Sequence, residues 1–231
     1  MYILGIETST TTGSVAVVSE DGVIAQYSLN IEVTHSERLM STVDRVLKDT
    51  GLTMAGMDGY AVAIGPGSFT GLRIGLAAVK GLALVSGKPI AAVPTLQALA
   101  WNLPYAAYPV CPLLDARKNE VYAAVYRFEG TMLMQDMAEA VVPLSRLSER
   151  ISGKTIFTGE ASRLFHKELA TLFGDQALFA PASAILPSAA TVAEIGMDMI
   201  KSGKPADPDS LTPMYIRRPE AEVMWEKKAN S

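Results

Sequence analysis

Residues 65–75 read Gly-Pro-Gly-Ser-Phe-Thr-Gly-Leu-Arg-Ile-Gly, and no other stretch narrows the fold of this chain as much. They follow Tyr60-Ala-Val-Ala-Ile64, an apolar, β-branched run that predicts a buried strand. They lead into 72–85, which contains no proline and predicts a helix. Where a strand end hands over to a helix start, free backbone N–H groups and the helix dipole suit an anion. Pro66 fixes its own φ, and the glycines beside it permit a tight, stiff turn. Gly67, Gly71 and Gly75 recur every four residues, with Gly81 less regularly placed. That spacing predicts one helical face stripped of side chains, against which another backbone can approach closely. Two partners fit such a face: the chain's own sheet, or another molecule.

The rest of the chain supplies a frame for that loop. Tyr2–Ile6 is a short apolar strand, and Glu20-Asp-Gly22 between two apolar runs is a hairpin signal. Thr34 and Glu37 form a capping-box pattern, opening a helix that runs to about Asp49. Its apolar positions, Leu39, Met40, Val43, Val46 and Leu47, make one stripe. The strand at Tyr60, the glycine loop, its helix and a strand over 90–93 complete the first half. A second half repeats the plan: strands over 110–114, 121–128 and 132–142, a strand over 155–158 ending in Gly159, and a helix over 162–172. A further helix spans 187–201, and 205–219, with four prolines, predicts an extended tail laid over the surface. Two halves that each open with a three-stranded antiparallel unit describe an α/β protein of the actin-like ATPase (ASKHA) architecture, with two related β-β-β-α-β-α halves. The expected division is 1–103, a smaller second domain over 104–222, and a tail over 223–231.

The glycine loop, together with Gly5-Ile-Glu-Thr-Ser9 and Pro213-Met-Tyr-Ile-Arg-Arg-Pro219, resembles the bacterial TsaB (YeaZ) family over essentially the whole chain, from Met1 to about Glu222. The resemblance implies the actin-like fold and a pseudo-enzyme that is the non-catalytic partner of TsaD. That pair forms N6-threonylcarbamoyladenosine (t6A) at adenosine 37 of tRNAs reading ANN codons, from threonylcarbamoyl-AMP made by another enzyme. It also implies TsaE, an ATPase, as a further partner. The expected pairing is a heterodimer with TsaD and a homodimer when the chain is alone. The contact is expected through the first-half helices, at His35, Leu39, Val43, Gly67, Gly71, Leu72, Gly75, Leu76 and Val79. TsaD carries a His-x-x-x-His metal pair after its corresponding strand, where this chain has Thr95 and Leu99. Neither residue replaces an imidazole, so the Lewis-acid chemistry of that site is not expected here and no catalytic or metal-binding residue is assigned.

Composition limits the alternatives. Apolar residues make up 49% and charged residues only 19%, which suits either a large α/β core or a face covered by a partner. The net charge of −4, without any basic run, disfavours autonomous binding to a phosphodiester backbone, so tRNA is expected only through the complex. The densest basic groups are Arg217-Arg218 and Lys227-Lys228. Cys111 is the only cysteine, which leaves no intrachain disulfide. The first residues have no basic n-region, and the 26 uncharged residues between Lys88 and Asp115 are broken by five prolines, so neither a signal peptide nor a membrane span is predicted. The expected location is the cytoplasm.

A rival reading is an actin-like ATP-dependent phosphotransferase. Glu7 ends the first strand, and Thr8, Ser9 and Thr10 form a hydroxyl-rich turn that could cradle phosphate weakly. The plainer reading is a capped hairpin whose hydroxyls satisfy their own backbone. No cofactor is expected to bind tightly, and ATP or ADP is expected only in the assembled complex. Asp115 is either the second carboxylate of a cleft or the acceptor that fixes a turn with Arg117. His35 and His166 form no metal motif, and Ser68 lies outside a G-x-S-x-G elbow.

Overall fold

The computed structural model of the chain describes residues 1–30 and 35–217, without the side chains of 29–30 and 35–37. The Thr34–Glu37 capping box, the side chain of His35, Arg218, Lys227, Lys228 and the tail over 223–231 therefore lie outside the described residues.

The first half runs β1 (Ile3–Glu7), β2 (Thr12–Ser19), β3 (Gly22–Asn30), α1 (His35–Thr50), β4 (Gly59–Gly65), α2 (Phe69–Ser86), β5 (Ile90–Pro94) and α3 (Thr95–Trp101). Its sheet has the order β3-β2-β1-β4-β5, with β1 antiparallel to β2 and parallel to β4. Ser19 pairs with Gly22, so Glu20 and Asp21 form the two-residue hairpin loop. Alternation along β1 sends Leu4 and Ile6 to a core shared with Val43 and Val46 of α1 and Leu76 and Val79 of α2. Ile3 faces the opposite core.

The second half runs β6 (Val110–Asp115), β7 (Glu120–Glu129), β8 (Met132–Pro143), a 3-10 turn over 144–149, β9 (Thr155–Thr158), α4 (Glu160–Leu164), α5 (His166–Phe173), β10 (Ala177–Phe179) and α6 (Ala189–Lys201). Its sheet order, β10-β9-β6-β7-β8, is the first sheet's order read from the other edge. Two copies of one topology with helices on the faces are the actin-like arrangement expected from the sequence. The helix expected over 162–172 is two helices, broken at Phe165 (φ −107°, ψ 27°). β10 and α3 were not predicted, being three and seven residues long.

The division at 103/104 needs correction. α6 lies against β1, β2, β4 and β5 of the first half, with Ala189, Val192, Ala193 and Met197 buried beside Ala61, Ala91 and Val93. The approach is close because both partners are small: a Cβ on Gly196 would sit 2.4 Å from the Ala61 Cβ. Beyond α6 the chain stays on the first half, where Ala206 N–H donates to Ile90 O (2.7 Å) and Met214 N–H to Ile64 O (2.7 Å). Residues 189–216 thus complete the first half rather than the second. α3 lies between the halves, with Leu96, Leu99 and Ala100 packed on Val110, Leu114 and Tyr126. By length and composition α2 is apolar enough to cross a membrane. In this fold its Leu72, Leu76, Val79 and Ala83 are buried against the first half instead.

Candidate functional site

β1 and β6 are the central strands of the two sheets, so the turns that follow them occupy matching places in the two halves. After β1, the turn from Thr8 to Thr10 is buried, although it is made of hydroxyls. The Thr8 hydroxyl donates to Gly71 O (2.7 Å), and Ser9 N–H donates to Glu7 Oε1 (2.7 Å). The Ser9 hydroxyl donates to the same Glu7 oxygen. Ser9 O accepts from Ser68 N–H (2.6 Å). Thr12 N–H donates to the Thr10 hydroxyl (3.3 Å). These donors and acceptors are spent inside the chain, so Thr8, Ser9 and Thr10 form a capped turn above Glu7.

The glycine face explains the closure. A Cβ on Gly71 would lie 2.0 Å from Thr8 O, and one on Gly75 would lie 2.4 Å from the Thr8 hydroxyl. Gly67 precedes α2 and meets Ser9 O in the same way, so it is not part of a helical face. α2 therefore seats its bare face on this chain's own turn, which decides between the two partners that the glycine spacing allowed. Leu72, Leu76 and Val79 follow it into the core, where Leu39 and Val43 of α1 meet them. The side chains of Leu39, Val43, Leu72, Leu76 and Val79, expected at a partner contact, are therefore buried within the first half. Among the described residues, the large exposed apolar side chains of the pair are Met40 on α1, Phe69 at the start of α2, and Leu84 and Val85 at its end, the last two 87% and 91% exposed.

Glu7 is the electrostatic anomaly of the site. Its Oε2, like the hydroxyls of Thr12 and Thr95, is buried without a hydrogen-bond partner. Burial pushes its carboxyl up to about 7, against the two Ser9 hydrogen bonds, and the charge of Glu160 pushes it further. Glu160, at the start of α4, was missed by sequence reasoning, because only the fold brings it toward Glu7. Its own carboxyl is raised by burial and then by Asp115, with a hydrogen bond from the Asp115 backbone and the charge of Arg117 pulling the other way. Among the described residues no group of three or more His, Cys, Asp or Glu side chains is arranged to hold a metal ion.

Asp115 serves the turn after β6. Its Oδ1 accepts from Arg117 N–H (2.8 Å), and its Oδ2 lies 3.3 Å from the Arg117 guanidinium. Arg117, Lys118 and Asn119 run consecutively in the left-handed region (φ 65°, 56° and 58°). Arg217 holds this turn from outside, donating to Ala116 O (2.5 Å) and pairing with Glu120. Two residues earlier Tyr215 stacks on Phe69 (5.1 Å between centroids) and accepts from Arg73 Nε (2.8 Å). The proline-rich stretch is thus a strap from the glycine loop to the second half.

The remaining candidates are structural. The Ser68 hydroxyl caps α2 by accepting from Gly71 N–H (3.2 Å). His166 stacks on Phe179 (4.0 Å) far along the second half. Leu99 is fully buried at the junction of the halves. The buried Cys111 thiol is pushed well above its ordinary value by burial.

Comparison with known proteins agrees with this geometry. The TsaD family model, described as tRNA N6-adenosine threonylcarbamoyltransferase, matches residues 23–225. The tRNA threonylcarbamoyladenosine biosynthesis protein TsaB of Bacillus subtilis is 33% identical over 228 residues, covering 97% of this chain and 98% of the relative. The structure of YeaZ from Pseudomonas aeruginosa superposes with a TM-score of 0.76 at 26% identity, over 93% of this chain and 99% of that one. An ROK hexokinase from Thermus thermophilus, at TM-score 0.51 and 12% identity over 88% of this chain and 100% of its own, shares the fold alone.

Proposed function

This chain belongs to the TsaB (YeaZ) family, and on that premise we propose that it takes part in t6A biosynthesis as the non-catalytic partner of TsaD. The observation that carries the non-catalytic reading is the sealed turn after β1. The hydroxyls of Thr8, Ser9 and Thr10 are bonded within the chain and α2 lies against Thr8, so these groups are not free to grip a phosphate. The phosphotransferase reading loses its cradle for the same reason. Thr95 and Leu99, where TsaD carries its histidine pair, are buried and offer no imidazole.

In this reading the chain works in the cytoplasm as a heterodimer with TsaD, and ATP or ADP enters only in the assembled complex. TsaE joins that complex, and adenosine 37 of tRNAs reading ANN codons is modified there. The chain meets TsaD, or a second copy of itself when alone, through the outward faces of α1 and α2. Met40, Leu84 and Val85 supply the apolar contact, because an exposed leucine–valine pair on a helix end gains most from being covered. tRNA reaches the chain only through the complex, since the net charge is −4 and Arg217 is already committed to Glu120.

The test is reconstitution. Supplied with threonylcarbamoyl-AMP and tRNA, the isolated chain should transfer no threonylcarbamoyl group, while addition of TsaD, TsaE and ATP to the same mixture should give t6A. Leu84→Asp with Val85→Asp should weaken association with TsaD about tenfold or more while leaving the fold intact. Unchanged affinity for TsaD would put the interface elsewhere, and transfer by the isolated chain would overturn the reading.

A further inference from the structure

Among the described residues, three connections join the halves, and they leave the first sheet from its two opposite faces. On the α6 face, residues 102–109 lead from α3 into β6, and residues 180–188 lead back to α6. Asn102 ties these two together, its Nδ2 donating to Leu186 O (2.9 Å) and Ala184 O (3.3 Å). α3 lies beside them, with Ala98 in the core under α6 and Leu96, Leu99 and Ala100 packed on Val110, Leu114 and Tyr126. Apolar packing of this kind is non-directional, so it holds the halves together without by itself fixing their angle.

The third connection comes from the α2 face. Met214 N–H donates to Ile64 O (2.7 Å), and a Cβ on Gly65 would sit 2.8 Å from Met214 O, so the strap is seated on the end of β4. The first turns of α2 then grip Tyr215. Its ring stacks on Phe69 (5.1 Å), its hydroxyl accepts from Arg73 Nε (2.8 Å), and the Arg73 guanidinium lies 3.7 Å over the Phe69 ring. Two residues on, Arg217 donates to Ala116 O (2.5 Å) and pairs with Glu120, both in the second half. These bonds are directional, and the link between them is short: two residues span at most about 7 Å however the backbone bends. Turning the second half about α3 beyond that slack breaks one anchor. Tyr215 sits in a three-layer stack, whereas Arg217 holds through a pair that is 28% exposed on each side, so Arg217 yields first.

We propose that Tyr215–Arg217 is a latch: closed, it fixes the angle between the halves, and release of Arg217 lets the second half turn about α3. The closed latch also steadies the turn after β6, because Ala116 and Glu120 flank its three left-handed residues.

The experiment measures, by double electron–electron resonance on the full chain, the distance between spin labels at Lys48→Cys in α1 and Lys167→Cys in α5. Both positions are exposed, and the natural Cys111 is buried and takes no label. The latched molecule should give one narrow distribution. Inserting two glycines after Tyr215 keeps both anchors but lengthens the link to at most about 14 Å. Arg217→Ala keeps the length and removes one anchor. Each should shift the distribution by about 5 Å or at least double its width, while Arg127→Ala, which breaks ion pairs inside the second half, should leave it unchanged. Slow hydrogen exchange at Leu4 and Val121 checks that both sheets stay folded. A narrow, unshifted distribution in both latch variants would overturn the proposal, and so would a wild-type distribution already as broad as theirs.

Discussion

The turn after β1 and the turn after β6 occupy the same place in the two copies of the fold, yet they are built in opposite ways. The first, Thr8 to Thr10, is buried, rich in hydroxyls, and closed by a helix whose glycines let it approach. The second, Arg117 to Asn119, is exposed and charged, and adopts left-handed backbone that non-glycine residues take at a cost of about 1–2 kcal/mol each. One is held from inside by packing. The other is held from outside by Asp115 and by the arriving strap. The same position of a duplicated fold can therefore be a packed turn in one copy and an outward, charged turn in the other.

The largest expected effect lies on the buried side of that comparison. Gly75→Leu must drive a side chain into Thr8, so it should cost about 3 kcal/mol or more in denaturant unfolding. Gly81→Ala, on the open side of the same helix with nothing within 4 Å, should instead stabilise by about 0.5–1 kcal/mol. If both substitutions behave alike, the turn is not sealed by α2.

Next comes the charge beneath the turn. Glu7 titrates at about 7 when folded, against 4.5 for an unperturbed carboxyl, because it is buried. The folded state holds that proton more tightly. Its contribution is fully present below about pH 4.5 and is lost as pH rises toward about 7, a fall of about 3 kcal/mol. Glu7→Gln keeps an acceptor for Ser9 and cannot ionise. It should flatten the stability profile between those pH values and raise stability at pH 8 by about 1–3 kcal/mol. A wild-type profile that stays flat from pH 5 to 8 would show Glu7 to be better solvated than the fold implies.

The exposed turn should be the least sensitive. Arg217→Ala removes a charged hydrogen bond to Ala116 O and a partly exposed ion pair with Glu120, a loss of about 1–2 kcal/mol. Hydrogen exchange should quicken at Glu120 and Leu144, whose N–H groups donate into that turn, and stay unchanged at Ser9. Equal acceleration at Ser9 would mean that the two turns behave as one unit.

Much of this was legible in residue order. Asp21-Gly22 announced the hairpin, apolar alternation gave the strands, and the proline-rich stretch announced an extended strap. The glycine spacing correctly predicted close backbone approach. It could not say to what, since Gly71 and Thr8 are 63 residues apart and meet only through the fold. The burial of Leu39, Val43, Leu72, Leu76 and Val79 was ambiguous for the same reason: an apolar stripe marks a buried face without telling whether a neighbour helix or a partner buries it. α3 escaped because Thr95–Trp101 is short, and six of its seven residues are buried or packed at the junction of the halves, which erases amphipathic periodicity. Glu160 carries no local signal at all. Its importance comes only from the approach of α4 to the end of β1.

The return of α6 to the first sheet has a consequence for how the protein is made. Its last residue, Lys201, comes late in a chain of 231, and until then one face of the first sheet lacks the cover of Ala189, Val192, Ala193 and Met197. The amino-terminal half leaves the ribosome first but cannot finish folding there, because its missing layer is still being translated. Completion of the first half and of the second become nearly simultaneous events. A ribosome stalled near residue 110 would expose an apolar sheet face, not a finished domain.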